Sequence, residues 1–470
     1  MPATEIPGRS QRVDDFVSRP KRAVWTLSVP IMVGMAVQTL YSFVDMVYIG
    51  WLGGEALAAL TFNMPLVFFS IGLTFGLGTG VTAVISQFMG AGDKRGADNT
   101  AEHALLMGIV LGVVIPSVGL LYKRQLFQLL GASPPVLALA LDYFRIIAMG
   151  FVFMILNVQF RSIMTGEGDT RTPIVFQIIG TVLNLVLDPL LIFTAGMGIA
   201  GAAMATIISQ AVVLCCFLYH FFVRRGGYLD LHPAAFSFSG RIIARVLRIG
   251  VPASASMVIM SSGSMFFNRI VSTFGNEAVA ALGVGERVNS IFFLPMMALA
   301  SSMVTLSGMF MGAGRNDLIR IILSYVIIRG QIFALVLGGL FFAFAPWIFA
   351  IFTRDPVIIE TAVGFIRIMV FAYPFTAVGI ISGRVFQGIG EGMPGLLLTS
   401  MRVILVSGLL AFVFVYVLGL GVSSVWVAML VASITTSALA YLWISYRLRQ
   451  LPAPTASVEA VAGCSTPPRF

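Results

Sequence analysis

Twelve apolar runs, most of them longer than a bilayer is thick, dominate this chain and leave it lipid as its solvent. They lie at about 23–49, 56–87, 102–122, 136–164, 173–193, 197–223, 245–272, 278–311, 320–345, 357–387, 394–418 and 421–446. A spanning helix needs about 20 apolar residues to cross a hydrocarbon core of about 30 Å. Soluble domains carry about 25% charged residues, whereas this chain carries 10% and could not cover a soluble surface. Pro30, Pro116, Pro295 and Pro374 fall inside the runs. That is tolerable in a bundle, where neighbouring helices and water satisfy the freed backbone groups.

The formal charge of +9 does not predict nucleic-acid binding, because the basic residues alternate with apolar runs instead of forming one face. Their distribution orients the chain. Arg9, Arg12, Arg19, Lys21, Arg22, Lys94, Arg95, Arg224, Arg225, Arg241, Arg245, Arg248, Arg447 and Arg449 all fall on one side of a twelve-span path. Lys123, Arg124 and Arg354 are exceptions on the other side. Both termini are therefore expected in the cytoplasm, with the protein in the plasma membrane. No cleavable signal peptide is expected, since the first 22 residues are polar.

A shift of 222 residues lays the second half of the chain on the first. Pro30 meets Pro252, and Leu-Gly-Gly-Glu-Ala-Leu-Ala-Ala-Leu (52–60) meets Phe-Gly-Asn-Glu-Ala-Val-Ala-Ala-Leu (274–282). Phe-Met-Gly-Ala-Gly recurs identically at 88–92 and 310–314, Pro134 meets Pro356, and Arg145 meets Arg367. The fold expected is thus all-α and polytopic, with twelve transmembrane helices in two pseudo-symmetric six-helix bundles. Copies of six spans enter the membrane the same way, so they are parallel repeats with a substrate path between them. The divisions expected are a cytoplasmic segment 1–22, an N-lobe 23–225, a linker 226–244, a C-lobe 245–448 and a disordered tail 449–470.

Two acids break the rule that charges sit at span ends. Asp45 and Asp188 lie inside spans 1 and 5, each about five residues from the non-cytoplasmic end. A carboxylate at the bilayer centre costs about 2.5–3.5 kcal/mol on insertion scales, so two at one depth require a reason. Gln38, Tyr41 and Asp45 share a helical face, as do Asn184 and Asp188. Tyr143 and Thr206 reach a similar depth from spans 4 and 6, with Asn157 deeper. Such oxygens can hold Na⁺, or two carboxyls can share a proton. The bland reading is structural, with the acids hydrogen-bonding across helices or relieving a kink at Pro189. Glu286 and Arg287 are adjacent in span 8 and read as a local pair or cavity lining. Arg145, Arg161 and Arg367 read as helix-end or interlobe anchors.

Other signals are discounted. Gly76, Gly78 and Gly80 follow no strand and cannot open a dinucleotide loop. Gly72, Gly76 and Gly80 form a small-xxx-small packing pattern. Cys215, Cys216 and Cys464 make no disulfide framework, and His103, His220 and His232 are scattered. No cofactor, ATP loop or intramembrane enzyme is therefore expected.

From about residue 20 to 448 the chain resembles the MATE (multidrug and toxic compound extrusion) family. The resemblance rests on Pro30, Gln38-x-x-Tyr41-x-x-x-Asp45, Gly90-Ala91-Gly92, Gly166-Glu167-Gly168-Asp169-Thr170, Asn184-x-x-x-Asp188-Pro189 and Gly201-Ala202-Ala203-x-Ala205-Thr206. It implies a V-shaped pair of lobes that exports cationic amphipathic compounds in exchange for H⁺ or Na⁺. It also implies an N-lobe cation site of Asp45, Asn184, Asp188 and Thr206, and a bend at Pro30. The NorM-like branch adds acids in spans 7 and 10. Here Met260 occupies that region of span 7 and 362–387 has no acid, which implies the DinF-like arrangement. Position 267, partner of Asp45, is Phe267, and position 410, partner of Asp188, is Leu410. The partners expected are small organic cations and membrane lipids, with the chain acting as a monomer. A lipid-linked oligosaccharide flippase on the same scaffold is the alternative, and Arg145, Arg287 and Arg367 in a cavity wall would favour it.

Overall fold

A computed structural model describes residues 10–129, 134–232 and 236–452. Arg9, Cys464 and nearly all of the tail expected at 449–470 lie outside the described residues. A short helix, α1 (Gln11–Ser18), precedes twelve long ones. These are α2 (Pro20–Gly50), α3 (Gly54–Ala91), α4 (Lys94–Leu129), α5 (Pro134–Glu167), α6 (Arg171–Thr194) and α7 (Gly198–Val223) in the first half. The second half holds α8 (Gly240–Val271), α9 (Asn276–Gly312), α10 (Asn316–Ala350), α11 (Pro356–Gly388), α12 (Met393–Val417) and α13 (Ser423–Gln450). Each of the twelve is long and apolar enough to cross a membrane. The chain is a multi-pass, all-α membrane protein of two six-helix bundles.

The recurring Phe-Met-Gly-Ala-Gly has a physical reason. Gly92 and Gly314 end α3 and α9 in the left-handed region, with φ of 73° and 70°, where a side chain would be strained. Two residues earlier the bundles touch. A Cβ on Gly90 would lie 2.0 Å from the Met309 carbonyl oxygen, and one on Gly312 would lie 2.0 Å from that of Gln87. Residues 87 and 309 are repeat partners, as are 90 and 312, so the crossing is reciprocal about a pseudo-twofold axis. Only glycine lets the backbones approach this closely.

The bundles meet on the side that carries the basic loops, called here the basic face. Trp25 Nε1 donates to Tyr325 Oη at 2.9 Å, Gln87 Nε2 to the Gly388 carbonyl at 2.7 Å, and Thr305 Oγ1 to the Thr165 carbonyl at 3.1 Å. Arg245 donates to the other end of Gln87. Nearer mid-depth, Ser254 Oγ donates to the Leu73 carbonyl at 3.3 Å. The second apolar cluster, with Ile49, Leu60, Phe127, Ala140, Ile192 and Ile199, belongs to the first bundle alone. The hydrogen bonds that join the bundles thus concentrate toward the basic face.

Two regions read as polar connections are structured. Helix α1 buries Val13 and Phe16, and Arg12 pairs with Glu167 and Asp169, both at 3.7 Å. The segment after α7 lies along α4. Backbone N–H groups of Tyr228, Asp230 and His232 donate to Glu167, Asp98 and Glu102, and that of Ser239 to His103 Nε2. Helix α8 then starts at Gly240, five residues before its apolar run, as an amphipathic turn that buries Ile242.

Candidate cation site in the N-terminal bundle

Helices α2 and α6 present their polar faces to a common space, where α3, α4, α5 and α7 close the ring. The result is a cavity of about 680 Å³ inside the first bundle. Gln38, Tyr41, Tyr143, Asn157, Asn184 and Thr206 line it, so six of the residues singled out by spacing share one chamber. Such a volume is ordinary for a site that takes a small organic molecule.

Asp188 lies behind this wall with no exposure. Its Oδ1 accepts from Asn184 Nδ2 at 3.1 Å, the i, i+4 contact the spacing predicts. Its Oδ2 is buried and has no hydrogen-bond partner. A bare carboxylate oxygen in a low-dielectric interior is costly and calls for a proton or a cation. Asp45 is half-buried and near enough to act on Asp188 electrostatically. Both carboxyls also act electrostatically on Tyr41 and Tyr143, and the Thr206 hydroxyl donates to the Ala202 carbonyl at 3.1 Å. Directly after Asp188-Pro189 the helix widens into a π turn, Leu190–Thr194. Such turns recur at functional sites in helices.

The remaining oxygens divide. Asn157 Nδ2 bonds the carbonyl and Oε1 of Gln210, each at 2.8 Å, so its contact is with α7 and not with either aspartate. Gln38 Oε1 accepts from Gln177 of α6 at 3.1 Å. Among the described residues no three of His, Cys, Asp and Glu come together. Two carboxylates, an amide and hydroxyls suit a monovalent hard cation or a proton better than a transition metal.

Sequence spacing missed Gln177, Gln210 and Asn63, whose side chain bonds the carbonyls of Ala59 and Ala140. A search for amides within the spans would have found all three. One expectation needs correction. Glu286 and Arg287 form no ion pair among the described residues, because adjacent helical residues point about 100° apart. Glu286 instead accepts from Asn289 Nδ2 at 3.2 Å and acts electrostatically on Arg402 and Tyr373. Arg161, six residues before the end of α5, also lines the first cavity. Arg145, Arg287 and Arg367 are in the wall of neither this cavity nor a smaller one in the second bundle.

The profile of the MatE family matches residues 30–190 and again 252–417, so each match begins at one of the paired prolines, Pro30 and Pro252. The chain belongs to the MatE family. Its relatives include the FAD transporter of Shewanella oneidensis, 27% identical over 82% of this chain and 86% of that one. The multidrug export protein MepA of Staphylococcus aureus is 24% identical over 91% and 94%. A solved MOP superfamily transporter from Pyrococcus furiosus is 32% identical and superposes with a TM-score of 0.90 over 94% of this chain and 99% of that one. For that protein, reverse polarity of the binding pocket is reported to suggest a different function. As a MatE protein the chain is a transporter and not an enzyme, and its family is one of multidrug efflux.

Proposed function

We propose that this MatE protein is a secondary antiporter that exports amphipathic organic cations in exchange for H⁺ or Na⁺ by alternating access. The observation that carries this reading is Asp188, fully buried, with one unpartnered oxygen beside Asp45 and against the wall of the 680 Å³ cavity. The one charged side chain in the wall is Arg161, but behind Asn184 the charge is that of two carboxylates, for which the coupling ion and an organic cation would compete. Asp45, Asn184, Asp188 and Thr206 would hold the ion. Gln38, Tyr41, Tyr143 and Asn157 would form the surrounding wall, with Glu286 and Arg287 outside the coupling site.

Pro30 lies inside α2 and removes one backbone hydrogen bond there. That makes it the natural point for α2 to bend as Asp45 changes occupancy. With the basic face cytoplasmic, as the loop charges support, the hydrogen bonds that join the bundles would lie on the cytoplasmic side. The lobes would be 23–225 and 245–448, joined by 226–244, and one copy in the inner membrane would suffice. The MepA likeness supports drug-like cargo, while the FAD transporter of S. oneidensis and the polarity reported for the P. furiosus protein argue for testing anionic cargo as well.

Proteoliposomes loaded with a cationic dye test the reading when a pH gradient and a Na⁺ gradient are imposed separately. One of the two should drive dye movement, and Asp45→Asn should abolish it. Full efflux with full ion coupling in that variant would sink the proposal.

A further inference from the structure

A second cavity, of about 320 Å³, lies in the other bundle among α8, α9, α11, α12 and α13, with Phe75 as the one wall residue from the first bundle. Its wall is mainly apolar, with Met257, Met260 and Met297 prominent. Methionine packs against many shapes. Two guanidinium groups, Arg384 and Arg402, stand in this wall, and no carboxylate does.

Arg384 is only 7% exposed. Its Nη1–H donates to Gln387 Oε1 at 2.9 Å, and its guanidinium carbon sits 4.8 Å from the centre of the Phe75 ring. Both partners are neutral, and Arg384 forms no ion pair among the described residues. Helix α11 runs toward the basic face, and helical side chains lean back toward the N-terminus. Arg384 therefore points into the bundle instead of reaching out to water, as arginines near span ends usually do. Arg402 feels the charge of Glu286 but forms no ion pair with it among the described residues, and Glu286 is not in the wall.

A buried, uncompensated cation is costly, and a planar guanidinium is the side chain best shaped to grip an oxyanion. We propose that this cavity binds the oxyanion group, phosphate or carboxylate, of an amphipathic organic anion. Arg384 supplies the fixed hydrogen-bonding fork, Arg402 the second positive charge, and the methionines the apolar bed. This site goes beyond the cation exchange proposed above and does not depend on it.

Equilibrium calorimetry on the purified full chain, with no ion gradient, tests it separately from coupling. The probes share one ring system and differ in charge: 1-naphthyl phosphate, 1-naphthol and 1-naphthylmethylammonium. The phosphate should bind about tenfold or more tightly than either of the others, as expected for charge-assisted hydrogen bonds. Arg384→Gln should remove that preference and leave naphthol binding unchanged, while Arg384→Lys keeps part of it. Arg402→Gln should weaken the phosphate alone and serves if Arg384→Gln does not fold. In nanodiscs, competition by phosphatidylglycerol would identify a lipid headgroup as the natural occupant, and its absence a soluble anion. Equal binding of the three probes by the unaltered chain would overturn the proposal, as would a preference that survives in well-folded Arg384→Gln.

Discussion

In the N-terminal bundle a cavity backs onto two carboxylates, whereas the C-terminal bundle carries Phe267 at the partner position of Asp45 and Arg384 at that of Ser162. Phe267 is buried in the apolar core, and Arg384 lines a cavity without acids. The Gly90/Met309 and Gln87/Gly312 contacts show that the backbones still cross as equivalent pairs. Duplication has kept the frame, where a change would separate the bundles. It has let the polar groups around the cavities diverge: two carboxylates stand behind the first, whose wall carries Arg161, while the wall of the second carries two arginines and no acid.

The comparison can be broken most sharply at Asp188. Asp188→Asn should cut ion-driven export by about 5- to 150-fold, the range of an ordinary coupling free energy, as read in proteoliposome efflux. A variant that still exchanges normally would mean that the two bundles do not differ in coupling. Replacing Gly90 with leucine should be next in size. It forces a side chain into the Met309 backbone, costing about 1–3 kcal/mol or more, and thermal unfolding in detergent should show the loss. Gly312→Leu should do the same to a similar extent if the crossing is truly reciprocal, and unequal losses would show that the symmetry is only approximate.

Asn157→Ala sharpens the N-terminal side. It removes the bonds to Gln210, so stability should fall by about 1 kcal/mol, while the ion that drives export stays the same. A changed ion preference would place Asn157 in the ion's shell after all. Glu286→Gln should have the smallest effect, leaving the ratio of ions to substrate exchanged as it was. A lost or altered ratio would reveal a second coupling carboxyl and undo the asymmetry between the bundles.

The sequence by itself determined the twelve spans, the duplication and the face shared by Gln38, Tyr41 and Asp45. Each follows from hydrophobic length, a constant offset or helical spacing, and none needs knowledge of a neighbour. It also paired Asn184 with Asp188, an i, i+4 contact within one helix. What lies between helices was decided only by tertiary structure. Spacing within α5 could not reveal that Asn157 turns to Gln210 of α7, nor that Arg161 faces the cavity. Glu286 accepts from Asn289 instead of pairing with its chain neighbour because helical geometry separates adjacent side chains. The docking of α1 and of the segment after α7 escaped composition, since their polar groups are satisfied by particular acids on α4 and α5. Arg384 was hidden for the same reason. A lone arginine near a span end normally reaches water, and only packing beneath Phe75 turns this one into a buried charge facing a cavity.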